Sequence, residues 1–61
     1  MKVKIEHVKL GDLIRNSSHP QAGLGIVIEV DEHAQYVIGV WPEHGEQIAY
    51  SSEIEVISES R

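Results

Sequence analysis

The chain has 61 residues, no cysteine and a formal net charge of −5, from ten acidic and five basic side chains. That length allows one domain with a small core, because a chain of this size buries only about 60% of the surface it exposes unfolded. The missing cysteines exclude disulfides and thiolate metal sites, and the acid excess opposes binding to phosphate backbones.

No apolar run approaches the ~18 residues of a membrane span. The opening MKVKIEHVKLGD alternates charge and has no long apolar stretch, so it is not read as a signal peptide. The expectation is a soluble, cytoplasmic protein without a membrane partner. It is one domain over residues 1–61, with a barrel over about 8–57 and a frayed tail at 58–61.

Apolar residues alternate with period two and hold no sustained 3.6-residue period, which argues for strands. Val3–Ile5 reads as a short opening strand. Gly11-Asp12 suits a bend before Leu13–Arg15. Asn16–Gly23, NSSHPQAG, is the longest connection, and its glycine lets the chain turn into the next strand. Gly25–Asp31 follows as a strand, then a short polar link, then Tyr36–Trp41. Pairing Ile28 opposite Ile38 sets Ile26 opposite Val40 and Val30 opposite Tyr36, all facing one interior. PEHGE turns the chain, with Gly45 available for a positive φ. Glu46–Tyr50 pairs back, with Ile48 opposite Val40 and Tyr50 opposite Ile38. Ser51–Glu53 reads as one tight helical turn. Ile54–Ile57 closes the sheet, with Ile54 and Val56 inward. Five or six short strands in this order describe a small closed all-β barrel, in which closure removes exposed edges.

Gly11–Arg15 (GDLIR), Gly23–Val30 (GLGIVIEV), Tyr36–Trp41 (YVIGVW) and Ser51–Ile57 (SSEIEVI) together resemble the SH3-like barrels of bacteria and their phages. The small single-barrel phage proteins are the nearest in pattern, and KOW-type modules, electron-transfer adaptor subunits and RNA-polymerase-binding modules are also similar. The resemblance spans Val8–Ile57. It implies a docking module, and it carries no functional residue onto this chain, since these barrels serve many roles.

Enzymatic sites find no support. His33 and His44 each follow a glutamate in a hairpin loop, but at opposite ends of the middle strand, so they cannot share an ion. His7 and His19 have no ligand spacing either. Asp31, Glu32, Glu43 and Glu46 lack a pocket to shift their pKa values. Ser17, Ser18, Ser51 and Ser52 have no activating neighbour and suit turns. Gly23-Leu24-Gly25 lacks the lysine and following helix of a phosphate loop. No catalytic residue, cofactor, metal or small-molecule substrate is expected. Arg15 is placed to pair with Glu53 or Glu55, a contact worth less than about 1 kcal/mol.

With the isoleucines inward, the outward set is Val27, Val37, Gly39, Trp41 and Ala49. Gly39 beside Ala49 would leave a shallow slot with Trp41 at one end, rimmed by Glu29, Glu46 and Arg15. Apolar floor and charged rim are the anatomy of a docking surface, with tryptophan a common anchor. Three occupants are open: a larger partner protein, a second copy of the chain, or Met1–Val8 folding back with Val3 and Ile5. Trp41 as a plug at one barrel end belongs with the last. The leading expectation is a non-catalytic interaction or adaptor module. The alternatives are a KOW-like nucleic-acid module, with Trp41 and Tyr36 stacking bases and Lys2, Lys4, Lys9 and Arg15 on phosphate, and a structural subunit of a virion or enzyme complex.

Overall fold

The computed structural model describes residues 5–58. Five strands follow one another, β1 (Leu13–Asn16), β2 (Leu24–Asp31), β3 (Tyr36–Trp41), β4 (Gly45–Tyr50) and β5 (Ile54–Ser58). All pairings are antiparallel, in the order β4-β3-β2-β1-β5. Single 3-10 turns cover Ile5–His7, Pro20–Ala22 and Ser51–Glu53. The expected all-β arrangement is present as five antiparallel strands in one sheet, with its short turn just before the last strand, but the expected closure of the sheet is not made. Of the expected Val3–Ile5 strand, residues 1–4 lie outside the described residues, and Ile5 instead begins a 3-10 turn. Of the expected tail, Ser58 ends β5 and residues 59–61 lie outside the described residues.

β4 and β5 stand at the two ends of the strand order and share no ladder. The chain itself joins them through Ser51–Glu53. That turn is fastened to the end of β1, where the Ser17 N–H and Oγ both donate to the Glu53 carbonyl, at 2.6 and 2.8 Å. At the opposite end, Gly11 N donates to Val27 O and Val27 N donates to Asp12 O, pinning the Lys9–Asp12 turn onto β2. Asp12 is fully buried, and its carboxylate accepts from Lys9 N at 2.8 Å.

The strand boundaries follow the sequence closely, but the faces are reversed. Val27, Val37, Trp41 and Ala49 are buried, as is Gly39, while Ile26, Ile28, Val40 and Ile48 are exposed. Two further departures from the expected ladder accompany the reversal. A bulge in β2 places Val27 opposite Gly39 but Glu29 opposite Ile38, leaving Ile28 as the extra residue. Ile28 and Glu29 therefore both face outward, and Val27 and Val30 both face inward, which strict alternation forbids. On β4 the register is two residues from the expected one: Ile48 pairs with Ile38, Tyr50 with Tyr36, and Gly39 lies beside Gln47 rather than Ala49. The expected pairing of Ile26 with Val40 does occur, and Ile54 faces inward as expected.

The core explains why this face wins. Trp41 supplies the largest apolar side chain of the chain, and its indole sits against two glycines. A Cβ at Gly25 would lie 2.5 Å from Trp41 Cε2, and one at Gly39 2.7 Å from Trp41 Cζ3. A small barrel has room for an indole only where its neighbours surrender their side chains. Ile14, Val37, Ala49 and Ile54 complete the cluster, and Ile5 and Val8 close it from the N-terminal segment. Of the occupants expected for the Val27–Trp41 face, the chain's own N-terminal segment is therefore the one present, through Ile5 and Val8.

Removing a buried tryptophan costs about 3–5 kcal/mol, as much as the ~3–5 kcal/mol a core of this size supplies. Trp41→Ala is therefore expected to be unfolded by circular dichroism. Gly39→Ala forces a methyl into rigid ring atoms, and overpacking of this kind costs about 1–3 kcal/mol. It is expected to stay folded with a lower urea midpoint; an unchanged midpoint would show that the indole does not occupy this seat.

Candidate docking face

With Trp41, Val27, Val37, Gly39 and Ala49 interior, the surface proposed for them from sequence does not exist as a surface. Trp41 is 3% exposed, and Val37 and Ala49 are fully buried. Glu29, Glu46 and Arg15, the rim of that set, are on the surface. Arg15 stands opposite Glu55 on β5, and its Nη2 lies 3.3 Å from Glu55 Oε2 in the ion pair that the sequence suggested. Both partners are nearly half exposed, so the contribution is small.

The reversal puts another set of side chains outward. Across β2, β3 and β4 the register makes three rows: Ile26–Val40–Glu46, Glu29–Ile38–Ile48 and Asp31–Tyr36–Tyr50. Each row has two apolar or aromatic members and ends in one carboxylate. Ile48 and Tyr50 are more than half exposed, at 56% and 54%. The two tyrosine rings meet edge to face, with centroids 6.2 Å apart and planes at 76°. An aromatic pair of this geometry holds both rings against the sheet.

The charge of the face is mostly acidic, and Lys9 lines a groove beside its margin together with Glu29, Asp31 and Glu32. Among the described residues the fixed cationic side chains are Lys9 and Arg15, and Arg15 is committed to Glu55. The Asp31 carboxylate, facing Tyr36 across the ladder, is the main cause holding that phenol above its ordinary value of 10.0; partial burial and Glu29 add to it.

Beside β4 lies a cleft of ≈ 430 Å³. His44, Gln47 and Ile48 line one side, Asn16 and Glu53 the other, and Trp41 forms part of its wall. His19 also reaches this cleft, so the fold brings together two histidines that stand apart in sequence. His33 lies in the other hairpin turn, beyond the opposite end of β3. Among the described residues no group of three or more His, Cys, Asp or Glu is placed to hold an ion. No described helix is long and apolar enough to cross a membrane. Base stacking by Trp41, as the nucleic-acid alternative required, is ruled out by its burial. Lys2 and Lys4 of that alternative lie outside the described residues.

The sequence reading missed the outward face for one reason. The i, i+2 spacing unites its isoleucines, but spacing alone does not say which side of the sheet is the interior. No family model, curated protein or solved structure matches the chain.

The Tyr36 environment gives a direct check on the face. The fold favours the protonated phenol, so Tyr36 contributes stability below its unfolded value and loses it as pH rises through the raised folded value. In a Tyr50→Phe background, Asp31→Asn is expected to move the phenolate absorbance transition of Tyr36 to lower pH. Stability should then fall less steeply above pH 10.0. A transition indifferent to Asp31→Asn would show that the two side chains do not face each other.

Proposed function

We propose that this chain is a non-catalytic protein-interaction module that docks through the outward face of β2, β3 and β4. The carrying observation is the set of three rows, in which Ile26, Val40, Ile38, Ile48, Tyr36 and Tyr50 adjoin one another and carboxylates occupy the row ends. Such an apolar centre with a charged rim is how interfaces are built. The partner has an apolar strip flanked by lysine or arginine, because the rows end in Glu29, Asp31 and Glu46, against which the described residues set Lys9 alone at the margin. A second copy brings the same acids, and both copies carry the same net charge of −5.

Magnitudes limit what the face does alone. Covering the exposed half of about five large apolar side chains yields about 5 kcal/mol. Association itself costs roughly 4–15 kcal/mol. The face therefore supports transient docking unless the partner adds hydrogen bonds or charge pairs.

The test places a photo-crosslinking residue at Ile38 and, as control, at Glu32 in the neighbouring turn. The expected result is a saturable adduct from position 38 and not from 32. It maps to a lysine- or arginine-bearing segment of one protein and is lost when Val40→Lys is added. Equal labelling from both positions, no adduct, or an adduct unaffected by Val40→Lys removes the reading. Salt-dependent retention of single-stranded RNA by the wild type would favour the nucleic-acid alternative instead.

A further inference from the structure

The ladder between β3 and β4 shows which backbone groups of β4 are unused. Ser51 N donates to Gln35 O, one residue beyond the Tyr36–Tyr50 pair. Bonded and non-bonded pairs alternate along an antiparallel ladder. Tyr36–Tyr50, Ile38–Ile48 and Val40–Glu46 are therefore the non-bonded pairs, and the N–H and C=O groups of Tyr50, Ile48 and Glu46 point away from β3, to the free edge. Tyr50 N is satisfied there by Glu53 Oε1 at 3.3 Å, which fixes the direction independently. No hydrogen bond reaches the N–H of Glu46 or Ile48 from a described residue.

This edge does not face open water alone. It borders the ≈ 430 Å³ cleft, across which stand Asn16 and Glu53. The cleft is the seam left where β4 and β5 share no ladder. Trp41 lines it, and the indole N–H is a buried donor that finds no acceptor among the described residues. Seam and free edge thus coincide, and the residue that carries the unmatched donor lines the same cleft. Glu53 lines the cleft, and Glu46 stands on the same strand edge at the end of an outward row, so both sides of an added strand would meet a carboxylate.

We propose that the free edge of β4 takes an extended, lysine- or arginine-bearing segment of the partner protein as a sixth strand. Alternate side chains of that segment lie beside Ile48 and Tyr50 on the outward face and in the Trp41 cleft. The inference rests on the docking reading above and names the form of the partner. Strand addition supplies the main-chain hydrogen bonds that the face lacks, and the period of two sends successive side chains to opposite sides. The basic side chains meet Glu46 and Glu53.

A displayed library of random linear peptides, selected on the full chain, is the probe. The tightest binder is remade with backbone N-methyl groups at alternate positions, in each of the two phases. One phase removes the N–H groups that face β4, and the other leaves them. The expected result is an alternating apolar and basic peptide that loses roughly tenfold or more in affinity in one phase only, as the loss of two hydrogen bonds implies. It shifts the amide resonances of Glu46 and Ile48 and changes the emission of Trp41. Ile48→Pro, which removes one edge donor, abolishes binding where Ile48→Ala only weakens it. The resonance shifts in the wild type decide the matter should Ile48→Pro not fold.

Failure to enrich any binder, or equal tolerance of both methylation phases, overturns the inference. Concentration-dependent shifts of Glu46 and Ile48 without peptide also overturn it, by making the occupant a second copy. A binder that perturbs Ile38 and Val40 but leaves the edge amides unmoved removes the sixth strand while the docking face stands. A binder that holds the edge and is indifferent to Val40→Lys removes the face instead.

Discussion

The indole of Trp41, seated against Gly25 and Gly39, is the contact on which the rest of the structure depends. A domain of this size has one interior of limited volume, and a tryptophan buries more apolar area than any other side chain of the chain. Once that ring is inside, parity along β3 is decided: Val37 and Gly39 go in with it, and Tyr36, Ile38 and Val40 go out. Parity along β4 follows from the pairing, which sends Ala49 in and Ile48 and Tyr50 out. The two glycines are the other half of the same contact, since a methyl at either would collide with ring atoms.

Much of this was legible in the chain and some was not. Tyr36–Trp41 stands out as a strand because β-branched and aromatic residues run between turn residues, and Ser51–Glu53 reads as a turn because serines precede a capping glutamate. Those signals are local. Parity is not local. A count of large apolar side chains favours Tyr36, Ile38 and Val40 as the inner face, and the count treats Gly39 as an empty place. In the fold, Gly39 is occupied space, filled by the ring of a residue two positions along. The bulge at Ile28 compounded the error, because an extra residue leaves no mark in an alternating sequence. Asp12 was readable as a bend residue but not as a buried one, since its burial depends on β2 crossing the turn at Val27.

The reversed faces also account for the composition of the surface. A single curled sheet in a 61-residue chain has an inside large enough for one layer of side chains, and the sequence carries more isoleucine and valine than that layer holds. The remainder forms the outward rows. Left alone, such rows on a sheet with open ends invite pairing between copies. Here each row terminates in Glu29, Asp31 or Glu46, so two like faces brought together meet acid with acid at their margins. The same carboxylates that discourage self-pairing leave the face ready for a cationic rim. Selectivity of this kind comes as much from what is repelled as from what is attracted.

The position of the seam decides where a strand can add. Strand addition needs an edge with unused backbone groups, and the sheet has two ends, β4 and β5. β5 lies beside β1 with Arg15 bonded to Glu55 on its surface, away from the three rows. β4 is itself the last strand of those rows. Only at β4 does an added strand share one continuous apolar surface with Ile38, Ile48 and Tyr50 while its other side chains turn toward Trp41. The burial of the indole, which cancels its use as an exposed anchor, is thus what places it behind the edge where a partner's backbone would lie.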